Sequence, residues 1–260
     1  MISIIIPAFK QEKTITRNIR QVDKALRGIG YEYEIVVVVD GTVDATLREG
    51  KKLASKRIKV VGYDTNKGKG YAIRYGMVRS RGSIVGFVDA GMELNPKGLL
   101  VLLEYLEQYH MDIVVGSKRH KDSKVIYPVD RKVLSILSQL FIRLLFGLNV
   151  KDTQVGMKLF RREVLEDVLP RLLVKRFAFD IEMLVVAFHL GYKKVGEVPV
   201  EINFKFPQSV VSQNLFRVVL RTFWDTVAIF YRLKILRYYD NASKRKWKFD
   251  PELNLRINIG

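Results

Sequence analysis

Cysteine is absent from the 260-residue chain, and histidine occurs only three times. The lack of cysteine excludes disulfide bonds, thiolate metal sites and cysteine nucleophiles. The histidines show neither HxxxH nor HExxH spacing, so a histidine-bound metal is not expected. No window holds about 20 consecutive apolar residues, so no membrane-spanning helix is predicted. The apolar start, MISIIIPAFK, lacks a basic segment; we interpret it as a buried strand rather than a signal peptide, and expect a cytoplasmic protein.

Acidic residues are also scarce relative to basic ones. Lysine and arginine number 45 against 27 aspartates and glutamates, which leaves a net charge of +18. Such an excess predicts attraction to phosphate groups, to nucleic acid or to an anionic membrane surface, and the charge alone does not choose among these partners.

The first 115 residues alternate between short apolar runs and segments with helical spacing. Continuous valine and isoleucine runs are typical of strands covered on both faces, so we predict an α/β fold with an open, mostly parallel sheet flanked by helices. The predicted strands are ISIIIP, YEIVVVVD, IKVVGY, SIVGFVD and DIVVGS. Ligands bind at the carboxyl edge of such sheets, where Asp40 and Asp89 end two strands. Each aspartate could alternatively cap the helix that follows it.

Two later segments predict amphipathic helices with basic polar faces. The first covers about residues 131–148, and the second lies within residues 206–240. Packing against the sheet is the alternative for either helix alone, but a basic, aromatic-rich pair in so positive a chain favours a position in the membrane interface. Residues 241–260 are polar, basic and without periodicity, which predicts a loosely ordered tail.

Eight short motifs occur in an order that carries a family resemblance. After the predicted strands come PAFKQE, VDGTVDAT, NKGKG and VDAG. Further along the chain come GSKRH, DTQVGMKLF, RFAFDIEML and VGEVPVEINF. Over about residues 1–205, the predicted catalytic domain, the chain resembles the family 2 glycosyltransferases, which have the GT-A fold and use nucleotide-diphospho-sugars. It is most similar to the polyprenyl-phosphate glycosyltransferases, and among them to the dolichyl-phosphate β-glucosyltransferase branch.

The resemblance implies an inverting transfer of glucose from UDP-glucose to a polyprenyl or dolichyl phosphate. The enzyme would be bound peripherally at the cytoplasmic face of the membrane. Because the acceptor phosphate is already ionised near neutral pH, no general base is needed, and cations must orient it and neutralise the leaving diphosphate. GDP-mannose is the alternative donor.

The resemblance also implies positions in the donor site. Asp40 matches the second acid of the family's DDGS motif. The first acid of that motif is replaced by Val39 in this chain. Lys69 and Lys158 are candidate cations for the diphosphate, although Lys69 could equally be a solvated loop lysine. Asp180 is a candidate partner of sugar hydroxyls or an ordinary acid at a helix start. The residues expected to bind the nucleotide-sugar are Pro7, Phe9, Glu12, Asp40, Lys69, Asp89, Ala90, Gln154, Lys158 and Asp180.

The residues expected to be catalytic by the same resemblance are Asp89, Lys118, Arg119, Arg131 and Ser135. The last four match positions at which the family holds the lipid phosphate. Arg131 and Ser135 are four residues apart, so both can face one anion from a single helix. Asp89 and Glu93 are the expected ligands of Mg²⁺ or Mn²⁺. The family's second carboxylate is replaced by Gly91, which would ease the turn that Glu93 needs; loss of this ligand is the alternative.

Three other functions stay open on the sequence. A nucleotidyltransferase would be expected to carry a glycine-rich basic loop after the first strand, where PAFKQE stands. A non-catalytic protein bound to nucleic acid or membrane would explain the charge, although no nucleic-acid-binding module is recognisable and we expect no nucleic acid as partner. A transferase-like protein without catalysis is suggested by Val39 and Gly91.

Overall fold

All five strands predicted within the first 115 residues form in the computed structural model, which describes residues 1–91, 93–125, 129–202, 215–240 and 247–258. The strands are β1 (Ile2–Ala8), β2 (Tyr33–Asp40), β3 (Ile58–Tyr63), β4 (Ile84–Val88), β5 (Ile113–Ser117), β6 (Met157–Arg161), β7 (Val195–Pro199), β8 (Trp247–Asp250) and β9 (Leu255–Asn258). The α-helices are α1 (Ile15–Leu26), α2 (Thr46–Lys51), α3 (Lys69–Val78), α4 (Gly98–Gln108), α5 (Val129–Phe146), α6 (Arg162–Val168), α7 (Phe179–His189) and α8 (Leu215–Phe230).

Seven strands of the described chain form one sheet, in the order β3-β2-β1-β4-β6-β5-β7. The first four strands in this order are parallel to one another, and β5 is parallel to β7. Strand β6 runs antiparallel between β4 and β5, and the sequence did not predict it. The prediction of an open, mostly parallel sheet flanked by helices is confirmed.

Helices cover both faces of the sheet, which explains the continuous apolar strands. Every residue of β2 is buried, and residues 35–39 have no exposed surface. Helix α1 contacts both α2 and α4, while α3 packs on β1 and β2 and touches α7 through Gly70 and Phe179. Successive side chains of a strand point to opposite faces of the sheet. When both faces are covered by helices, all of these side chains are buried, so a continuous run of valines is expected.

Both predicted amphipathic helices form as α5 and α8, and α8 continues into a π-helical turn at Tyr231–Ile235. The rings of Phe141 and Phe223 stack between them, with centroids 5.1 Å apart. Large apolar side chains remain exposed on both helices: Val133, Leu134, Leu137, Leu140, Leu144, Val219, Leu220, Phe223 and Trp224. None of the helices in the described ranges combines the length and apolar character needed to cross a bilayer. The predicted boundary at 205–206 lies outside the described residues.

The carboxyl-terminal segment is more ordered than the sequence predicts. Strands β8 and β9 pair as an antiparallel hairpin, and Leu253 in its turn is 1% exposed. Tyr238 donates its hydroxyl to the carbonyl of Asn258 at 2.7 Å, and Arg171 lies over the ring of Trp247. The expectation of a loosely ordered tail is therefore wrong for residues 247–258, because these contacts anchor the hairpin to the domain.

Candidate active site

The carboxyl edge of the sheet holds Asp40 in a position that the sequence does not reveal. Asp40 is 3% exposed, and its carboxylate accepts hydrogen bonds from Tyr63 Oη (2.9 Å), Asn66 Nδ2 (2.9 Å) and the backbone N–H groups of Lys67 (2.7 Å) and Gly68 (3.0 Å). Four donors occupy the lone pairs that a carboxylate offers. In this structure the carboxylate of Asp40 holds the NKGKG loop, and its expected contact with the nucleotide stays a prediction.

Asp89 follows β4 and faces Lys69, the first residue of α3. The ammonium Nζ of Lys69 lies 2.8 Å from Oδ1 and 2.9 Å from Oδ2 of Asp89. The backbone N–H of Asp89 donates to the carbonyl of Gly156 at 3.0 Å, and a Cβ atom at position 156 would overlap the Asp89 carboxylate. The carboxylate thus reaches Lys69 only because residue 156 has no side chain.

Lys158 and Asp180 form a buried pair behind Lys69. Lys158 has no exposed surface, and its ammonium donates to Asp180 Oδ1 at 2.6 Å and to the carbonyl of Val155 at 2.5 Å. Burial lowers the pKa of Lys158, and the charge of Asp180 opposes this effect. The expected diphosphate contact of Lys158 is corrected, because an enclosed ammonium cannot touch a ligand in the cleft; it neutralises Asp180 instead.

Three carboxylates concentrate negative charge at Lys69. Its Nζ lies 3.8 Å from Asp180 Oδ2 in addition to the contacts with Asp89. Burial by itself would lower the pKa of Lys69, but the charges of Asp89, Asp180 and Glu93 outweigh burial and raise the pKa above its ordinary value. Lys69 is thus a charged cation held at the cleft, and its side chain is 23% exposed.

The donor groups around Lys69 suit a divalent cation. The ammonium itself shows that a cation fits beside Asp89, and carboxylate oxygens are the ligands that Mg²⁺ and Mn²⁺ prefer. Among the residues that the structure describes, no group of three or more potential ligands is arranged around one metal position. A metal held by Asp89 and Glu93 would therefore need further ligands from a bound diphosphate or water.

The backbone conformation at position 91 does not need a glycine. Gly91 is not one of the glycines with positive φ, and a Cβ atom there would meet nothing within 4 Å. In this structure a residue with a side chain could therefore adopt the backbone conformation of Gly91. Whether Glu93 is a shifted ligand stays a prediction.

The loop after β1 forms one wall of the cleft. The side chain of Phe9 is 39% exposed, and Pro7, two residues before it, is half-buried. Glu12 accepts a hydrogen bond from the N–H of Ala45 at 3.1 Å and so ties this wall to the turn after β2. Ala90 is buried, with its carbonyl held by the side chain of Asn18.

A second cluster lies where β5 ends and α5 begins. Arg119 Nη1 donates to the carbonyl oxygens of Lys151 (3.0 Å) and Ser135 (3.4 Å). The N–H of Lys118 donates to Asp152 Oδ2 at 3.0 Å. The structure thus brings together Lys118, Arg119 and Ser135, three of the four residues predicted to hold the acceptor phosphate. The backbone of Arg131 lies in α5, and its side chain is outside the described part of the chain.

The segment 152–156 connects this cluster to Asp89. Asp152 touches Lys118, Gly156 touches Asp89, and Gln154 between them is exposed. Four residues of extended chain span at most about 14 Å. The backbone positions of Asp152 and Gly156, which contact the two clusters, are therefore no more than about 14 Å apart.

Sequence reasoning missed Gly156 and the loop residues that bind Asp40. Gly156 stands two residues after the predicted Gln154, so its presence inside DTQVGMKLF was the available signal. For Tyr63 and Asn66 the sequence offers no signal, because their contact with Asp40 depends on how β3 turns into α3.

The fold and the cleft define a nucleotide-sugar transferase domain of the GT-A type, and comparison with known proteins agrees. The model of glycosyl transferase family 2 matches residues 3–169. A dolichyl-phosphate beta-glucosyltransferase of Trichomonas vaginalis is 31% identical over 247 residues, or 90% of this chain and 75% of that protein. Its human counterpart is 32% identical over 207 residues, or 72% of this chain and 62% of the human protein. The chain belongs to glycosyltransferase family 2.

Solved structures share the fold at low sequence identity. Glucosyl-3-phosphoglycerate synthase from Mycobacterium tuberculosis, crystallised with Mn²⁺, UDP-glucose and phosphoglyceric acid, aligns with a TM-score of 0.65 at 18% identity, covering 96% of this chain and 84% of its own. Mannosyl-3-phosphoglycerate synthase from Rubrobacter xylanophilus aligns with a TM-score of 0.67 at 17% identity, covering 97% and 82%. At this identity the likeness shows the fold alone.

Proposed function

We propose that this glycosyltransferase moves glucose from UDP-glucose to dolichyl phosphate or another polyprenyl phosphate at a membrane surface. The observation that carries the proposal is that the short segment 152–156 links two clusters, since it touches Lys118 at one end and Asp89, the partner of Lys69, at the other. The beginning of an exposed apolar helix lies at the same place. The names of the relatives, which include dolichyl-phosphate beta-glucosyltransferases, support this acceptor and sugar.

The reaction is a single displacement at the anomeric carbon of the sugar. An ionised oxygen of the acceptor phosphate forms the new bond to this carbon on one face, while the bond to the diphosphate breaks on the other face and its electron pair leaves with UDP. The anomeric configuration is therefore inverted. Arg119 and Lys118 would orient the acceptor phosphate, and Lys69 would neutralise charge on the diphosphate, which is the contribution that fixed cations make to phosphate chemistry.

A divalent cation, Mg²⁺ or Mn²⁺, is part of the proposal. Asp89 would hold it, with Glu93 as the second protein ligand. When bound it would add positive charge at the leaving diphosphate. The crystals of the M. tuberculosis synthase contain Mn²⁺ with UDP-glucose, which supports this cofactor without distinguishing between the two metals.

The membrane part of the proposal depends on helices α5 and α8. Leu144 is 83% exposed and Trp224 is 61% exposed, which is unusual for such side chains unless another apolar surface covers them. Basic residues such as Arg217 and Arg221 stand on the exposed side of α8 as well. This combination is typical of helices that lie in a membrane interface. The cytoplasmic face stays a prediction from the sequence.

The experiment is a product assay with purified full-length chain, polyprenyl phosphate in detergent micelles, and radiolabelled UDP-glucose or GDP-mannose. We expect labelled lipid from UDP-glucose and a rise in melting temperature with UDP and Mn²⁺. Labelled lipid from GDP-mannose alone, with a thermal shift for GDP and none for UDP, would contradict the assignment of the sugar.

A pair of variants separates acceptor binding from donor binding. Arg119→Gln should lower the turnover number about 100-fold, the size typical of losing one positioned charge-stabilising group, and leave UDP affinity unchanged. Lys121→Gln removes an exposed charge two residues away and serves as control. Equal loss of UDP affinity and turnover in Arg119→Gln would move Arg119 to the donor site.

A further inference from the structure

Lys69 occupies both oxygen atoms of the one carboxylate that is best placed to bind a metal. Its ammonium lies within 2.9 Å of Oδ1 and Oδ2 of Asp89. The Oδ1 atom is buried, and the ammonium of Lys69 balances its charge. A divalent cation approaching Asp89 would meet the positive ammonium at the same two oxygen atoms.

Lys69 can leave this position without stranding a buried charge. Asp180, the buried carboxylate near its ammonium, is already paired with Lys158 at 2.6 Å. Unpaired buried charges are costly, and the Lys158–Asp180 pair removes that cost. The lysine side chain has four flexible methylene groups and three rotatable N–H donors, so it can reach another anion from the same backbone position.

We propose that Lys69 is the internal counter-ion of Asp89 in the donor-free protein and competes with the divalent cation for this carboxylate. When the nucleotide diphosphate and metal bind, the metal takes Asp89 and the ammonium of Lys69 moves to the diphosphate. The competition thereby favours binding of metal and donor together over binding of metal alone. This inference rests on the proposed nucleotide-sugar donor and metal.

The same loop offers a matched control for Lys69. Lys67 precedes it by two residues, and its ammonium pairs with Glu252 at 2.5 Å. Substituting glutamine at either position removes one positive charge from the loop, so the general attraction of the protein for cations changes similarly. Only Lys69→Gln removes the cation that contacts Asp89.

The test measures Mn²⁺ binding to the nucleotide-free, full-length protein by electron paramagnetic resonance of the free ion. We expect Lys69→Gln to bind Mn²⁺ about tenfold more tightly than the unmodified chain, or about 1.4 kcal/mol, and Lys67→Gln to bind it much less tightly than Lys69→Gln. With Mn²⁺ saturating, Lys69→Gln should bind UDP more weakly than Lys67→Gln. Lys69→Arg keeps a cation on Asp89 and should retain the Mn²⁺ affinity of the unmodified chain.

Two outcomes would overturn the inference. One is a Mn²⁺ affinity of Lys69→Gln no higher than that of Lys67→Gln, including no measurable binding by either. The other is a gain in Mn²⁺ affinity in Lys69→Arg equal to that in Lys69→Gln. Because the probe is Mn²⁺ alone, these results do not depend on which nucleotide-sugar the enzyme uses, and failure here leaves the product assay unaffected. Circular dichroism checks that each variant folds.

Discussion

At the level of single residues, the cleft depends on close packing between Asp89 and Gly156. Asp89 binds the carbonyl of Gly156 through its own N–H and directs its carboxylate across the place where a Cβ would lie. The same carboxylate contacts Lys69. The absence of a side chain at Gly156 thus determines where the negative charge of Asp89 lies.

Gly156→Ala should therefore displace the Asp89 carboxylate. We expect glucosyl transfer to fall by at least about tenfold, because a misplacement of about 1 Å in a catalytic arrangement can cost up to a hundredfold. Metal-dependent UDP affinity should fall as well, measured by calorimetric titration. Overpacking also costs about 1–3 kcal/mol of stability, which urea unfolding would report.

Gly28→Ala is the control, since a Cβ there has its nearest neighbour, the carbonyl of Ala25, at 3.9 Å. Full transfer activity and unchanged metal-dependent UDP affinity in Gly156→Ala would show that Asp89 does not need its present orientation.

At the level of secondary-structure elements, the β8–β9 hairpin connects the end of the chain to the NKGKG loop. Glu252 in the hairpin pairs with Lys67, and its carbonyl accepts a hydrogen bond from Arg79 Nη2 at 2.6 Å. Leu253 beside it is buried, whereas Arg256 is exposed. The hairpin is therefore held by apolar side chains, among them Leu253, and by polar contacts around them.

Leu253→Ala should destabilise the protein by about 2–5 kcal/mol, the range for removing a buried leucine side chain. Chemical denaturation monitored by circular dichroism measures this change. Arg256→Ala, on the neighbouring strand, should shift the unfolding midpoint little because its side chain is exposed. Identical midpoints for the two variants would mean that the hairpin does not contribute to the stability of the domain.

At the level of the whole molecule, charge and exposed apolar surface act together. The net charge of +18 attracts the protein to anionic surfaces over a range set by ionic strength, while the exposed side chains of α5 and α8 act only on contact. A protein bound to a membrane by charge alone would dissociate from it as the salt concentration rises. A protein that also inserts apolar side chains into the membrane would stay partly bound.

Trp224→Ser should reduce flotation with phosphatidylserine-containing vesicles several-fold at moderate salt, since it removes a large apolar side chain that is 61% exposed on α8. Tyr31→Ser removes an aromatic ring that is 47% exposed elsewhere and should have no such effect. If the protein instead bound RNA or DNA more tightly than vesicles, with affinity falling steeply as salt rises, the nucleic-acid alternative would be favoured.

The sequence predicts the parallel part of the sheet well and its antiparallel strand poorly. Strand β2 forms with the predicted bounds because a strand covered on both faces needs continuous apolar residues. The edge strand β3 also has its predicted bounds, although none of its residues is fully buried. Strand β6 contains Lys158 at its second position, and this lysine is tolerated only because Asp180 approaches it from α7. The hairpin did have a signal, the alternating pattern WKFD and LRIN around a turn.

The sequence by itself determined the α/β class and the family, because these follow from local patterns and motif order. Only the tertiary structure decided what each charged group does. Asp40 is saturated by donors from the loop after β3, Lys158 is enclosed, and Asp89 is paired with Lys69. The physical reason is that the availability of a charge depends on its burial and partners, and those partners come from distant parts of the chain.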